Sequence, residues 1–575
     1  MSHAEHRAVS RSTARRHAVT NGGAMSHRQV LESLSGLLLG MFVSILAGTV
    51  VSTSLPRIIS DLKGDQNAYT WVVTATLLAT TVSTPLWGKF ADLFNRKLLI
   101  QLALGLFVVG SALAGFSQDT NTLIVFRVFQ GLGAGGLAAL SQIIMADIIS
   151  PRERGKYAGL FGGVMAIGTV GGPLLGGVVT DAFGWRWNFF IAMPVAIVAI
   201  VLLQVTLRLP AHPRRRVKID YLGAVLIAGG VSLLLIWVSL AGKNFDWASW
   251  ETALMVGGAV VLLVAAVITE LTVAEPIIPM GMFKNRTFSL AVVASISVGV
   301  SMFGVAVFLA QYMQLARGAT PTQSGLLTIP MMAGLLIAST IFGGIISRTG
   351  KWKAIMVSGG VLAVVGTFLL STLRYDTDLA LVGVYMAVLG AGLGMLMQNL
   401  VLVVQNSIEV KNLGVATSSV TFFRSLGGTI GVSVLGSMLG TVIADRISTG
   451  IAGLAPADQA LAAQALGSGT IPQPAGLPDA VRVVVESAYG IGVGDVFLAS
   501  IPLAVITLLA VILLPNVPLG SKNAMQLKAG PAESESARVI RDAEDALIAA
   551  SDGQAGLRPV GQARPTGSID VVERR

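Results

Sequence analysis

Residues 159–177 read GLFGGVMAIGTVGGPLLGG, an apolar stretch in which Gly159, Gly168, Gly172, Gly176 and Gly177 recur and Pro173 follows the glycine pair. On a helix, positions 168, 172 and 176 fall on one face, and that face carries almost no side chain. In a bilayer, helices gain nothing by hiding apolar surface from one another, so a bare stripe marks where a neighbouring backbone can come close. Pro173 adds a bend. Taken alone, such a stripe is a packing face that any polytopic protein can carry. The same stretch also fixes the environment, because a helix this apolar and this poor in side chains belongs in lipid.

The rest of the chain agrees. Of 575 residues, 53% are hydrophobic and 12% charged, and the mean hydropathy is +0.74, far from a soluble composition. The reading is an all-α polytopic membrane protein. A net charge of +10 raises the question of nucleic acid, but the lysines and arginines sit in short connectors between apolar runs, so the expected surface is lipid and no nucleic-acid partner is expected. There is no cysteine, which excludes disulfides, thiolate metal sites and thiol nucleophiles. The five histidines lie at positions 3, 6, 17, 27 and 212, in the leading tail or a loop. No metal or cofactor is expected.

Apolar runs of about 20 residues, the length that crosses a bilayer, fall at 34–55, 69–88, 98–117, 122–146, 157–180 and 187–208, then at 220–241 and 252–270. Six more follow at 287–311, 325–347, 353–373, 381–405, 413–443 and 494–515. This predicts 14 transmembrane helices: a basic tail at 1–30, a six-helix bundle at 31–210, two inserted helices at 211–275, and a second six-helix bundle at 276–515. An alanine-rich outer segment at 445–494 is expected to form short helices on the outer face, and the tail at 516–575 is expected to be disordered. Lys89, Arg96 and Lys97, then Arg152, Arg154 and Lys156, then Arg208, Arg214, Arg215, Arg216 and Lys218 share one side of the membrane. The positive-inside rule makes that side, and both termini, cytoplasmic.

A short internal repeat links the halves. Gly88, Asp92, Asn95, Arg96 and Lys97 follow the second run, and Gly343, Ser347, Arg348, Gly350 and Lys351 follow the tenth. Two repeated bundles with a site between them suit a transporter, although two basic turns can also resemble each other by chance.

These motifs together resemble the major facilitator superfamily, and within it the fourteen-helix drug:proton antiporter family. The 159–177 stretch resembles the antiporter signature of the fifth helix. Gly88 to Lys97 resembles the cytoplasmic turn signature, with Asn95 where a glycine is usual; asparagine is expected to supply the left-handed backbone. Arg127, Gln130, Gly131, Gly133, Ala134 and Gly136 match the arginine–glutamine–glycine signature of the fourth helix. The same glycines satisfy a dinucleotide pattern, rejected because no strand precedes it. The first helix departs from the family, with Ala47 in place of an acid.

The resemblance implies a major facilitator fold and a proton-coupled exporter of apolar or amphipathic small molecules. Alternating access in the cell membrane, with the proton gradient as energy source, would drive it, and the chain is expected to be monomeric. A dedicated exporter of one lipid, siderophore or self-made antibiotic is the alternative. The resemblance further implies that Asp92 faces the helix start near Gly414 and that Arg96 pairs with Asp147. It also implies a substrate cavity lined by Thr49, Ser52, Gln130, Met302, Phe303, Phe308, Gln398 and Asn399. No acid lies mid-span, so Asp147 is the proton carrier by elimination. Arg127 and Arg424 are guanidiniums inside spans, costly there and hence functional candidates; Arg424 is either a partner for gate acids or an interface clamp. Nothing in the sequence points to an enzyme: no acid pair, metal cluster or nucleophile with its base is placed near mid-membrane.

Overall fold

The apolar runs become helices because lipid offers backbone groups no partner, and a helix satisfies them within the segment. The short polar residues between runs serve as helix caps. Asn95, Asp119, Asp220, Ser249, Asn285 and Asp378 each accept a backbone N–H of the helix that follows. The computed structural model describes residues 27–63, 66–154, 156–207, 220–242, 244–273, 276–319, 321–466 and 477–520. All of them belong to one unit, Met25–Ala524; the other unit, Met1–Ala24 with Met525–Arg575, lies outside the described residues.

Among the described residues fourteen long helices result: α1 His27–Asp61, α2 Gln66–Leu93, α3 Arg96–Gly115, α4 Thr120–Ile148, α5 Ala158–Phe183, α6 Ala192–Thr206, α7 Tyr221–Leu240, α8 Trp250–Thr272, α9 Arg286–Gly304, α10 Ile329–Thr349, α11 Lys353–Ser371, α12 Leu379–Ser407, α13 Leu413–Ala452 and α14 Asp479–Leu513. Helix α9 runs on through two π-helical turns, Val305–Leu309 and Tyr312–Ala316. Among the described residues, 12 of these are long and apolar enough to cross a membrane. Helix α2 falls short of that measure and part of α5 lies outside the described residues, so the structure does not establish the expected count of fourteen spans. In α2 the reason is a run of Thr76, Thr80, Ser83 and Thr84, whose hydroxyls bond back to carbonyls of the same helix or across to α4.

Packing repeats with a shift of eight helices. In the first half α2 and α3 pack on α4, α1 packs on α4, α5 and α6, and α3 packs on α6. In the second, α10 and α11 pack on α12, α9 packs on α12, α13 and α14, and α11 packs on α14. The halves meet along two matching seams, α2 on α13 and α5 on α10. Helices α7 and α8 pair with each other, and α7 lies against α2 and α13. Helix α8 faces outward, with 11% of its apolar stretch buried.

Two expectations change. The segment 445–494 is not a set of short helices: α13 extends to Ala452 and α14 begins at Asp479, leaving one helix, Pro456–Leu466, between them among the described residues. Arg446 pairs with Asp495 at 3.0 Å across these extensions. The tails lie almost wholly outside the described residues. Asn95 has no left-handed backbone; with φ −66° it is an extended cap whose side chain takes the Lys97 N–H. Its counterpart in the second turn, Gly350, is the left-handed one, at φ 72°.

Candidate gate and translocation site

The charged turn after α2 folds back on itself. Arg96, 2% exposed, donates through Nε to the Ala91 carbonyl at 2.8 Å, through Nη2 to Asp92 at 3.1 Å, and through Nη1 to Asp147 at the end of α4. Asp92 then reaches across the seam. Its two oxygens accept the backbone N–H groups of Gly414 and Val415 at 3.0 Å each, which places a carboxylate on the positive end of α13. The seam is tight: a Cβ on Gly88 would strike Ser418, and one on Gly414 would strike Asp92 and the Gly88 carbonyl.

A second polar bridge lies beside it. Arg154, in the short helix Pro151–Arg154, donates to Gln405 of α12, to the Ala146 carbonyl at 3.0 Å and to that of Ile149 at 3.1 Å. Gln405 in turn donates to Thr417 at 2.9 Å, and Gln142 donates to Gln398 at 3.3 Å. Burial pushes the Arg154 guanidinium down to about 9, against the opposing pull of the Asp147 charge. The end of the molecule that carries the basic connectors is thus held shut by a network shared between halves.

The antiporter stripe serves two contacts. Gly159 and Gly162 face Thr340 and Ser339 of α10, on the seam between halves, whereas Gly168, Gly172 and Gly176 face Ile45, Thr49 and Val50 of α1, in the same half. Gly177 meets nothing within 4 Å. The side chain of Pro173 lies outside the described residues.

The expected cavity residues are not brought together. Gln398 and Asn399 line a water-sized cavity with Met145 and Arg154 from the first half. Gln130 is corrected: it is 1% exposed, accepts from Arg127 and donates to Ser111 of α3, inside its own bundle. Arg127, which also donates to the Val72 carbonyl at 3.4 Å, finds its partner there. Thr49 turns to α5, donating to the Gly168 carbonyl at 3.0 Å. Phe308 is buried within the second half, beside a small cavity shared with Thr367 and Phe497. Phe303 packs on Gly428, and Met302 packs on the second-half core. The Ser52 side chain lies outside the described residues. Arg424 meets no acid among the described residues; it donates to the Met397 carbonyl of α12 at 3.3 Å, and its buried Nε has no partner.

Sequence reasoning missed two clusters. Ser54 and Thr180 share a hydrogen bond at 2.6 Å and both accept from Asn188, joining α1, α5 and the turn before α6. Asp220 and Glu270 meet where α7 begins and α8 ends; in the sequence they stand at span edges, 50 residues apart.

A fold of two shifted, repeated bundles with a charged turn capping a helix of the opposite half can be set against known proteins. The family model described as Major Facilitator Superfamily matches residues 37–432. The chain belongs to that superfamily. The superfamily's transporters are membrane proteins acting on small molecules, and this chain is one of them, not an enzyme. It is 35% identical to the multidrug transporter protein MdtP of Bacillus subtilis (strain 168) over 473 residues, 80% of this chain and 86% of that protein. It is 31% identical to the acurin A biosynthesis cluster MFS-type transporter of Aspergillus aculeatus, over 70% of this chain and 73% of that one. A structure titled as a double Trp mutant of XylE superposes with a TM-score of 0.57 at 14% identity, covering 87% of this chain and 98% of that one. That likeness concerns the fold.

Proposed function

We propose that the chain exports apolar or amphipathic small molecules in exchange for protons, by alternating access, from a cell membrane in which both termini are cytoplasmic. The observation that carries this reading is the Asp92–Arg96–Asp147 cluster closing one end of the seam between halves. Neutralising Asp147 with a proton removes the attraction that fixes Arg96, and Arg96 in turn steadies Asp92 on α13. A proton arriving at that cluster would favour opening, and its departure would favour closure. The resemblance to a multidrug transporter supports export as the direction. Neither bundle needs a partner chain for this scheme, and a monomer suffices.

The test is uptake of ethidium into inverted vesicles, with and without an imposed proton gradient. Gradient-driven uptake that is lost in Asp147→Asn is the expected result; equal uptake by that variant removes Asp147 as the carrier. A dedicated exporter is the second reading, favoured by the likeness to a transporter named for one biosynthetic cluster. Growth protection against a single compound among many dissimilar ones would select it.

A further inference from the structure

Helix α8 turns its length outward, and its buried residues are Ala259, Ala266 and Glu270. A glutamate at the end of such a helix is free to swing out to headgroups and water. Instead the Glu270 side chain points inward, 3% exposed, toward the first turn of α7. There Asp220, 6% exposed, spends Oδ1 on the Gly223 N–H at 2.7 Å, while Glu270 Oε2 accepts the Ile278 N–H at 3.0 Å. Each carboxylate keeps one buried oxygen with no hydrogen-bond partner, Asp220 Oδ2 and Glu270 Oε1. A Cβ on Gly223 would strike both of those oxygens, so they lie no more than about 5 Å apart.

Among the described residues the facing charge is Lys89 of α2, buried and acting on Glu270 through its charge. Helix α13 contributes Phe422 and Phe423, packed in an apolar cluster with Ile227, Ala266, Ile277 and Ile278. Two bare carboxylate oxygens in that setting repel each other and go unsatisfied. One proton on either oxygen makes it a donor to the other and removes the repulsion.

We propose that Asp220 and Glu270 form a proton-binding site that holds one shared proton, and that Lys89 passes its state to α2. Binding forms one carboxyl O–H bond and breaks one O–H bond of a hydronium ion from solution at the basic end, releasing water. Loaded, the pair carries one negative charge and, empty, two, so the field it exerts on the buried Lys89 changes by one unit charge. Lys89 follows Gly88 and precedes Asp92, the residues that close the seam on α13. The inserted helices thereby seat a proton against the gate helix. The proposal rests on the exporter reading only for its effect on transport.

Infrared difference spectra of the full chain in lipid nanodiscs test it directly. A carboxylic-acid C=O band should persist near neutral pH, vanish in both Glu270→Gln and Asp220→Asn, and survive in Asp147→Asn. Carboxyl-13C aspartate and carboxyl-13C glutamate, introduced separately into the unaltered protein, should each shift the band, a readout that needs no variant to fold. Absence of the band, survival in either variant, a shift with one label only, or its removal by sodium at constant pH overturns the proposal. If the band behaves as stated while ethidium uptake ignores the proton gradient, the exporter reading fails and the site stands.

Discussion

Asp92 and Gly414 are joined across the seam between the two halves by a carboxylate oxygen accepting a backbone N–H at 3.0 Å. The contact couples a side chain of α2 to the amides at the start of α13, which have no carbonyl partner within their own helix. Its partners stand 322 residues apart along the chain, so the contact is a property of the assembled molecule.

Replacing Asp92 by Asn removes the charge but keeps the shape. A charge-assisted hydrogen bond contributes about 1.5–3 kcal/mol, so the open-to-closed ratio should rise by about 10- to 100-fold at the basic end. Because the chain has no cysteine, single cysteines at Lys156 and Lys411, both exposed, can carry spin labels that read the distance directly. An unchanged distance distribution in Asp92→Asn would remove the latch.

Gly172 and Gly159 should fail in different ways. Gly172→Leu forces a side chain into Thr49 inside the first half, and overpacking costs about 1–3 kcal/mol, so the melting temperature in detergent should fall. Gly159→Leu intrudes on Thr340 across the seam, so it should slow transport with a smaller loss of stability. Gly171→Ala, which meets nothing within 4 Å, serves as the neutral comparison. Equal melting temperatures for Gly172→Leu and Gly171→Ala would contradict the assignment.

Gln130→Leu strands a buried guanidinium. Arg127 loses its side-chain acceptor and keeps only the Val72 carbonyl, at a cost of about 1.5–3 kcal/mol. Reduced thermal stability with an unaltered range of transported compounds is the expected pattern. A changed range at unchanged stability would return Gln130 to the substrate path.

Asn188→Ala removes the amide that donates to both Ser54 and Thr180 and leaves only their mutual bond between the three side chains. Both hydroxyls are buried, so the loss should be about 1–3 kcal/mol, seen as earlier unfolding of the first half in hydrogen exchange. Wild-type protection at α1 and α5 would show the cluster to be dispensable.

Much of the candidate gate is readable in the residues, because it is local: Asp92, Arg96 and the turn between them lie within five positions. The cavity is not readable. Helical spacing tells which residues share a face, yet whether that face meets its own bundle or the other half depends on packing, and Gln130, Thr49 and Phe308 turn inward. The glycines carry a further signal. Gly131, Gly133 and Gly135 of α4 match Gly390, Gly392 and Gly394 of α12, and in each trio the outer two face the second helix of the half and the middle one faces the third. That register is a firmer mark of the repeat than the two basic turns.

By itself the sequence determined the solvent, the class and the family of this protein, since apolar runs of bilayer length and polar caps leave the backbone one option in lipid. Only the tertiary structure decided which charges meet. Asp220 and Glu270 stand 50 residues apart and become neighbours because α7 and α8 pair antiparallel, while Arg424 found a carbonyl and no acid among the described residues. Charge in a low-dielectric interior acts over a few ångströms, and those distances are set by packing alone.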